Sequence, residues 1–135
     1  MPEAIRLLSW NCQELGNFWT SRSICKIVRE QAPTVCFLME TRLDKDEFEN
    51  LYGNLSYQNK IIVKHPDSGG GLALLWKNSI TLEVINYTVN HVLAVVTEED
   101  GFKWFLTCFY GWSEAQQKEK SWRLLEYLKT FVDGP

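Results

Sequence analysis

The sequence predicts an α/β fold in which a mixed β-sheet carries helices on one face. Three observations predict it. Two short apolar runs, residues 5–11 and 34–40, are separated by a stretch with helical spacing, as in a β-α-β unit. Five further short apolar runs follow Gly53 with only turn-like connections between them, which is the pattern of antiparallel strands. Several runs (VCFLM, LALLW, VLAVV, FLTCFY) are apolar on both parities rather than alternately, and such strands require cover on both faces.

Residues 5–11 (IRLLSWN) end in polar residues and lead into a turn-like Leu15-Gly16-Asn17, so they read as a strand followed by a loop. From residue 20 to 31, Ile24, Ile27 and Val28 recur at helical spacing until Ala32-Pro33 stops the pattern. Residues 34–40 (TVCFLME) are too short for an ordinary helix and read as a buried strand. A short helix follows over 44–51, with Asp44 as N-cap and Glu47 placed three residues on to complete a capping box. The first two strands, joined through a helix, are expected to pair in parallel. Residues 57–63, 71–76, 80–86, 91–97 and 103–110 read as antiparallel strands. A last helix is expected from Ser113, where Gln116 completes a second capping box and Trp122, Leu125 and Leu128 form its apolar stripe.

With 135 residues, 45% of them hydrophobic, the chain is expected to form one domain with a real core. Its 14 basic and 17 acidic side chains leave a net charge of -3, which gives no general attraction to phosphate backbones. That balance does not exclude a nucleic-acid enzyme, because a site built on carboxylates and a divalent cation carries its positive charge on the metal. Cys12, Cys25, Cys36 and Cys108 form no C-x-x-C pair and read as reduced, small hydrophobes. With His65 and His91 isolated in sequence, no zinc-ligand spacing is present. The amino terminus lacks a signal-peptide pattern and no apolar run approaches the ~18 residues of a membrane span, so a cytoplasmic or nuclear location is expected.

Asn11 and Glu40 close the first two strands, and ligands of open α/β sheets gather beyond the carboxyl ends of strands. Each by itself also fits a blander role, a turn asparagine and a solvated glutamate. Phosphodiester hydrolysis would use them together: Glu40 as an oxygen ligand to a hard divalent cation, and Asn11 as a neutral amide that orients the carboxylate or bonds the phosphate. Tyr110 closes the last strand before Gly111, where its hydroxyl can donate to a phosphate oxygen or simply sit at the rim of the core. Gly69 to Gly71 lack the following Gly-Lys-Ser/Thr of a phosphate-binding loop and read as a tight turn into a strand.

The succession Leu7-Leu-Ser-Trp-Asn11-Cys with Leu15-Gly-Asn17, then Phe37-Leu-Met-Glu40-Thr, Gly69-Gly-Gly-Leu-Ala-Leu-Leu-Trp76 and Cys108-Phe-Tyr110-Gly resembles the endonuclease domain of plant LINE-type retrotransposons. That group lies within the endonuclease/exonuclease/phosphatase superfamily of exonuclease III and DNase I-like proteins. The resemblance runs from about residue 5 to the end of the chain. It implies a four-layer α/β sandwich of which residues 1–135 are the front half, and a hydrolase that cuts DNA phosphodiesters by metal-assisted in-line attack. It also implies a site in which Glu40 binds Mg2+, or Mn2+ as an alternative, with Asn11 beside it as catalytic residue and second metal-side donor, and Tyr110 as the active-site tyrosine.

Two departures from the family pattern matter. Gln13-Glu14 stand where an Arg-Gly is usual, which puts phosphate contact by that loop in question. The family's later Gly-Asp-x-Asn and Ser-Asp-His segments do not occur in the 135 residues. These carry the water-activating aspartate and the phosphate-binding histidine, so weak cation binding and no turnover by this chain alone are expected. The alternative expectation is a non-catalytic retroelement remnant. In either case an exposed apolar sheet face would be left to pair with a second copy, with a complementing carboxyl-terminal half or with another partner.

Overall fold

A computed structural model describes residues 5–12, 18–53, 55–64 and 70–110. The described chain falls into two compact units, residues 1–80 and 81–135. Each is built around its own sheet.

In the first unit the order is β1 (Leu7–Asn11), α1 (Phe18–Gln31), β2 (Val35–Met39), α2 (Lys45–Tyr52), β3 (Asn59–Val63) and β4 (Leu72–Trp76). The strands form a four-stranded sheet in the order β1-β2-β4-β3. β1 and β2 are parallel and in register from Leu7 opposite Val35 to Asn11 opposite Met39, as expected for strands joined through a helix. β4 is antiparallel to both β2 and β3, so the sheet is mixed.

The helices cover one face of this sheet. Ile24 and Val28 of α1 and Phe48 and Tyr52 of α2 form one core with Cys36 and Leu38 of β2 and Ala73 and Leu75 of β4. Within α2 the rings of Phe48 and Tyr52 stack with centroids 5.0 Å apart. The capping box forms as the sequence implies: the Asp44 carboxylate accepts from the Glu47 backbone N–H, and the Glu47 carboxylate accepts from the Asp44 N–H. The amide donated by Glu47 holds the Asp44 carboxyl below the usual carboxylate range.

The opposite face of β2 and β4 is also closed to solvent: Val35, Phe37, Leu72 and Leu74 are all buried. The exposed apolar sheet face expected from the sequence is therefore corrected for these two strands. Strands apolar at every position are stable only with cover on both faces, and here both are covered. On β1 the outward positions are Leu7, Ser9 and Asn11, with Leu7 exposed.

In the second unit β5 (Thr81–Thr88), β6 (His91–Thr97) and β7 (Lys103–Phe109) form an antiparallel sheet in that order. β6, the central strand, is buried at Val92, Leu93, Ala94 and Val96. Among the described residues β7 pairs with β6; on it Thr107 is exposed and Phe105 and Leu106 are half-buried. β5 runs two residues beyond its expected end and carries a register shift between Val84 and Asn86. The helix expected from Ser113 lies outside the described residues. Among those residues, no helix is long and apolar enough to cross a membrane.

Candidate active site

Asn11 and Glu40 come together because β1 and β2 are parallel neighbours. Asn11 is opposite Met39, and the next amide, that of Cys12, donates to the Met39 carbonyl at 2.8 Å. The last ladder bond thus pins Asn11 beside the peptide that leads into Glu40. Asn11 is exposed and Glu40 half-buried, so the pair stands at the carboxyl edge of the sheet, where solvent and ligand can reach it. Cys12, one residue further on, turns inward. Burial pushes its thiol up to about 12, which makes it a core side chain rather than a ligand.

The backbone around Glu40 is unusual. Glu40 and Arg42 lie at φ 54° and 55°, two of four non-glycine residues with left-handed φ among the described residues. That conformation costs roughly 1–2 kcal/mol for each residue with a Cβ, so surrounding structure must hold it. Part of the restraint comes from the segment before β4. The Thr41 N–H donates to the Gly71 carbonyl at 3.2 Å, and the Arg42 N–H donates to the Gly70 carbonyl at 2.8 Å. Gly70 and Gly71 themselves lie at φ 79° and 97°. Gly70 and Gly71, read in sequence only as part of a tight turn, are therefore also the neighbours of the Glu40 segment, a contact that no local pattern announces.

Tyr110 belongs to the second unit, directly after β7. Its N–H donates to the Asn90 carbonyl at 2.7 Å, and the Asn90 side-chain amide donates to the Tyr110 carbonyl at 3.0 Å. Asn90 is buried in the two-residue turn between β5 and β6. It fixes the backbone of Tyr110 from both sides, a role that sequence reading missed; its only signal was an asparagine at a strand junction.

His91, the first residue of β6, is not isolated in space. Its Nε2–H donates to Asn86 Oδ1 and its Nδ1 accepts from the Thr88 hydroxyl, which in turn accepts from the Asn90 N–H. Both ring nitrogens are used on side chains of β5, and burial pushes the imidazole below its ordinary range. His65 and Gln13-Glu14 lie outside the described residues.

Among the described residues, no three His, Cys, Asp or Glu side chains gather as a ready-made metal cluster. Asn11 and Glu40 nevertheless form a pair of hard oxygen donors on adjacent strand ends. Mg2+ is commonly held by one or two carboxylates, with water and substrate phosphate completing its octahedron. The pair fits that cation and does not fit zinc, which prefers nitrogen and sulfur.

Residues 8–133 match the Endonuclease/Exonuclease/phosphatase family. No curated protein matches the chain significantly. Among solved structures, the humanized D. rerio TDP2 carrying 14 mutations superposes with a TM-score of 0.67 at 21% identity, over 97% of this chain and 57% of that one. The human Nocturnin catalytic domain with bound sulfate gives 0.67 at 16% identity, over 94% and 58%. D. rerio TDP2 complexed with single strand DNA product gives 0.64 at 19% identity, over 97% and 56%. The chain thus shares their α/β fold and spans a little over half the length of each.

Proposed function

The chain belongs to the Endonuclease/Exonuclease/phosphatase family, and on that premise we propose that it carries the metal-side half of a divalent-cation-dependent phosphodiesterase site acting on DNA. The observation that supports this most directly is the placement of Asn11 and Glu40 at the carboxyl ends of neighbouring parallel strands. DNA as substrate class is favoured by the D. rerio TDP2 complex with single strand DNA product. The order and spacing of the Trp-Asn, Met-Glu-Thr, Gly-Gly-Gly and Phe-Tyr-Gly motifs favour a LINE-type retrotransposon endonuclease within the family.

In this reading Glu40 holds the cation with Asn11 as its neighbour, and Tyr110 keeps the active-site role that the family resemblance implies. Bound there, Mg2+ supplies the positive charge that polarises the phosphoryl group and stabilises the leaving oxygen. The Glu40 carboxylate fixes where that charge sits. The Asn11 amide, being uncharged, orients the carboxylate or donates to a phosphate oxygen without repelling it. The Tyr110 hydroxyl donates to a phosphate oxygen as negative charge builds on it, the kind of preformed donor that acts most strongly in the transition state. The 135 residues contain neither Gly-Asp-x-Asn nor Ser-Asp-His, the segments to which the resemblance assigns the water-activating aspartate and the phosphate-binding histidine. Positioning without activation of the nucleophile is insufficient for in-line attack, so the chain assayed alone is expected to bind cation weakly and not to turn over.

Nicking of supercoiled plasmid in Mg2+ tests this, with Glu40→Ala beside the wild type. Equal background in both is the expected result for the chain alone. A wild-type rate well above background that Glu40→Ala abolishes would overturn the expectation of inactivity while supporting the role of Glu40. Activity that survives Glu40→Ala would remove Glu40 from the site.

A further inference from the structure

At the end of β2 the chain leaves strand geometry with a left-handed residue, Glu40, then a fully buried one, Thr41, then a second left-handed residue, Arg42. In a strand, successive side chains alternate between faces, and a residue at positive φ breaks that alternation. The direction in which residue 40 presents its carboxylate therefore depends on what keeps this kink in place.

The partner of the kink is the glycine segment. Beyond the two backbone bonds from Thr41 and Arg42, a Cβ built on Gly71 would stand 2.7 Å from Thr41 Oγ1 and 3.2 Å from the Arg42 nitrogen. No side chain fits there without displacing Thr41, and the φ of Gly71 excludes one on conformational grounds as well. Thr41 Oγ1 is buried and has no hydrogen-bond partner among the described residues. Thr41 therefore contributes its shape, wedged against a position that only glycine can occupy.

We propose that Gly71 and Thr41 are positioning residues for Glu40: together they form a seat that sets the angle at which the carboxylate meets a divalent cation. The inference rests on the reading of Glu40 as the metal-side carboxylate. Its rival is that the glycines only let the chain enter β4, in which case Glu40 is indifferent to a methyl group at position 71.

The test uses the full chain and nuclear magnetic resonance. Amide-to-Hα couplings and Cα shifts of residues 40 and 42 read the kink directly, and titration with Mg2+ alone reads cation affinity through the Glu40 signals. Gly71→Ala and Thr41→Ala are expected to move the signals of both residues and to weaken Mg2+ binding by about tenfold or more, the usual scale for lost outer-shell support. Thr41→Val, which keeps the shape and discards the hydroxyl, is expected to retain the wild-type couplings and affinity. The Thr41→Ala/Gly71→Ala pair should recover part of the loss, because the colliding oxygen is gone. Unmoved couplings in Thr41→Ala would overturn the seat, as would a Thr41→Val variant as impaired as Thr41→Ala. The two Thr41 variants decide the matter even if Gly71→Ala does not fold. Wild-type Glu40 signals that ignore Mg2+ would instead sink the metal reading, while the couplings still decide whether the seat sets Glu40.

Discussion

Asn90 offers a direct perturbation of the segment that carries Tyr110. Its side-chain amide donates to the Tyr110 carbonyl at 3.0 Å, and the residue is 8% exposed. Asn90→Ala removes that donor but leaves the backbone bond from the Tyr110 N–H to residue 90 intact. A hydrogen bond of this kind contributes about 0.5–1.5 kcal/mol, and removing one partner of a buried pair costs about 1–3 kcal/mol. Tyr110 is itself only half-buried, so the expected loss is about 1–2 kcal/mol. Asn90→Asp should be worse at neutral pH, since a carboxylate oxygen would replace the donor and face the carbonyl oxygen. Its folded-state pKa would then lie above the unfolded value. The sign follows: stability of the Asp variant is greatest below the ordinary carboxyl range, where the protonated acid can donate, and is lost as pH rises through the folded pKa. Urea denaturation of the wild type and both variants, at pH 7 and again in acid, checks the whole argument. An Ala variant within about 0.5 kcal/mol of wild type would refute it, as would an Asp variant indistinguishable from Ala at both pH values.

Phe48→Ala should cost about 3–5 kcal/mol, since the ring is buried between α2 and the sheet and stacks on Tyr52; a loss below 1 kcal/mol in chemical denaturation would contradict the packing described. His91 has a folded pKa depressed by burial below its ordinary 6.5. In acid the unfolded chain takes up a proton first, so stability should fall as pH drops below about 6.5 towards the folded value. His91→Gln should flatten that part of the pH profile, and an unchanged slope would refute the assignment. The thiols of Cys36 and Cys108, pushed up to about 12 by burial, should resist iodoacetamide at pH 8 in the native chain and react in denaturant, as mass spectrometry would show. Rapid native labelling of either would place it at the surface.

What could be read in advance depended on local pattern. The apolar runs at 34–40 and 91–97 mark β2 and β6 because their side chains must be removed from water whatever their neighbours are. The Asp44/Glu47 spacing marks the start of α2 because a capping box closes within four residues. Parallel pairing of β1 with β2 followed from the helix between them, and that pairing sets Asn11 beside Glu40. Boundaries were less legible: β1 begins at Leu7 rather than residue 5, and β5 continues to Thr88, because the last ladder bonds depend on the partner strand.

The sequence by itself determined the elements, the parallel first pair and the polar residues at the strand ends, all consequences of side-chain period and chain connectivity. Only the tertiary structure decided that Gly70 and Gly71 lie against Thr41 and Arg42, and that Asn90 clamps Tyr110. These contacts join residues about 20 to 30 positions apart through backbone amides and carbonyls, one side-chain amide and an absent Cβ. Every residue type but proline carries the same backbone groups, so local side-chain pattern does not announce where two distant segments will bond.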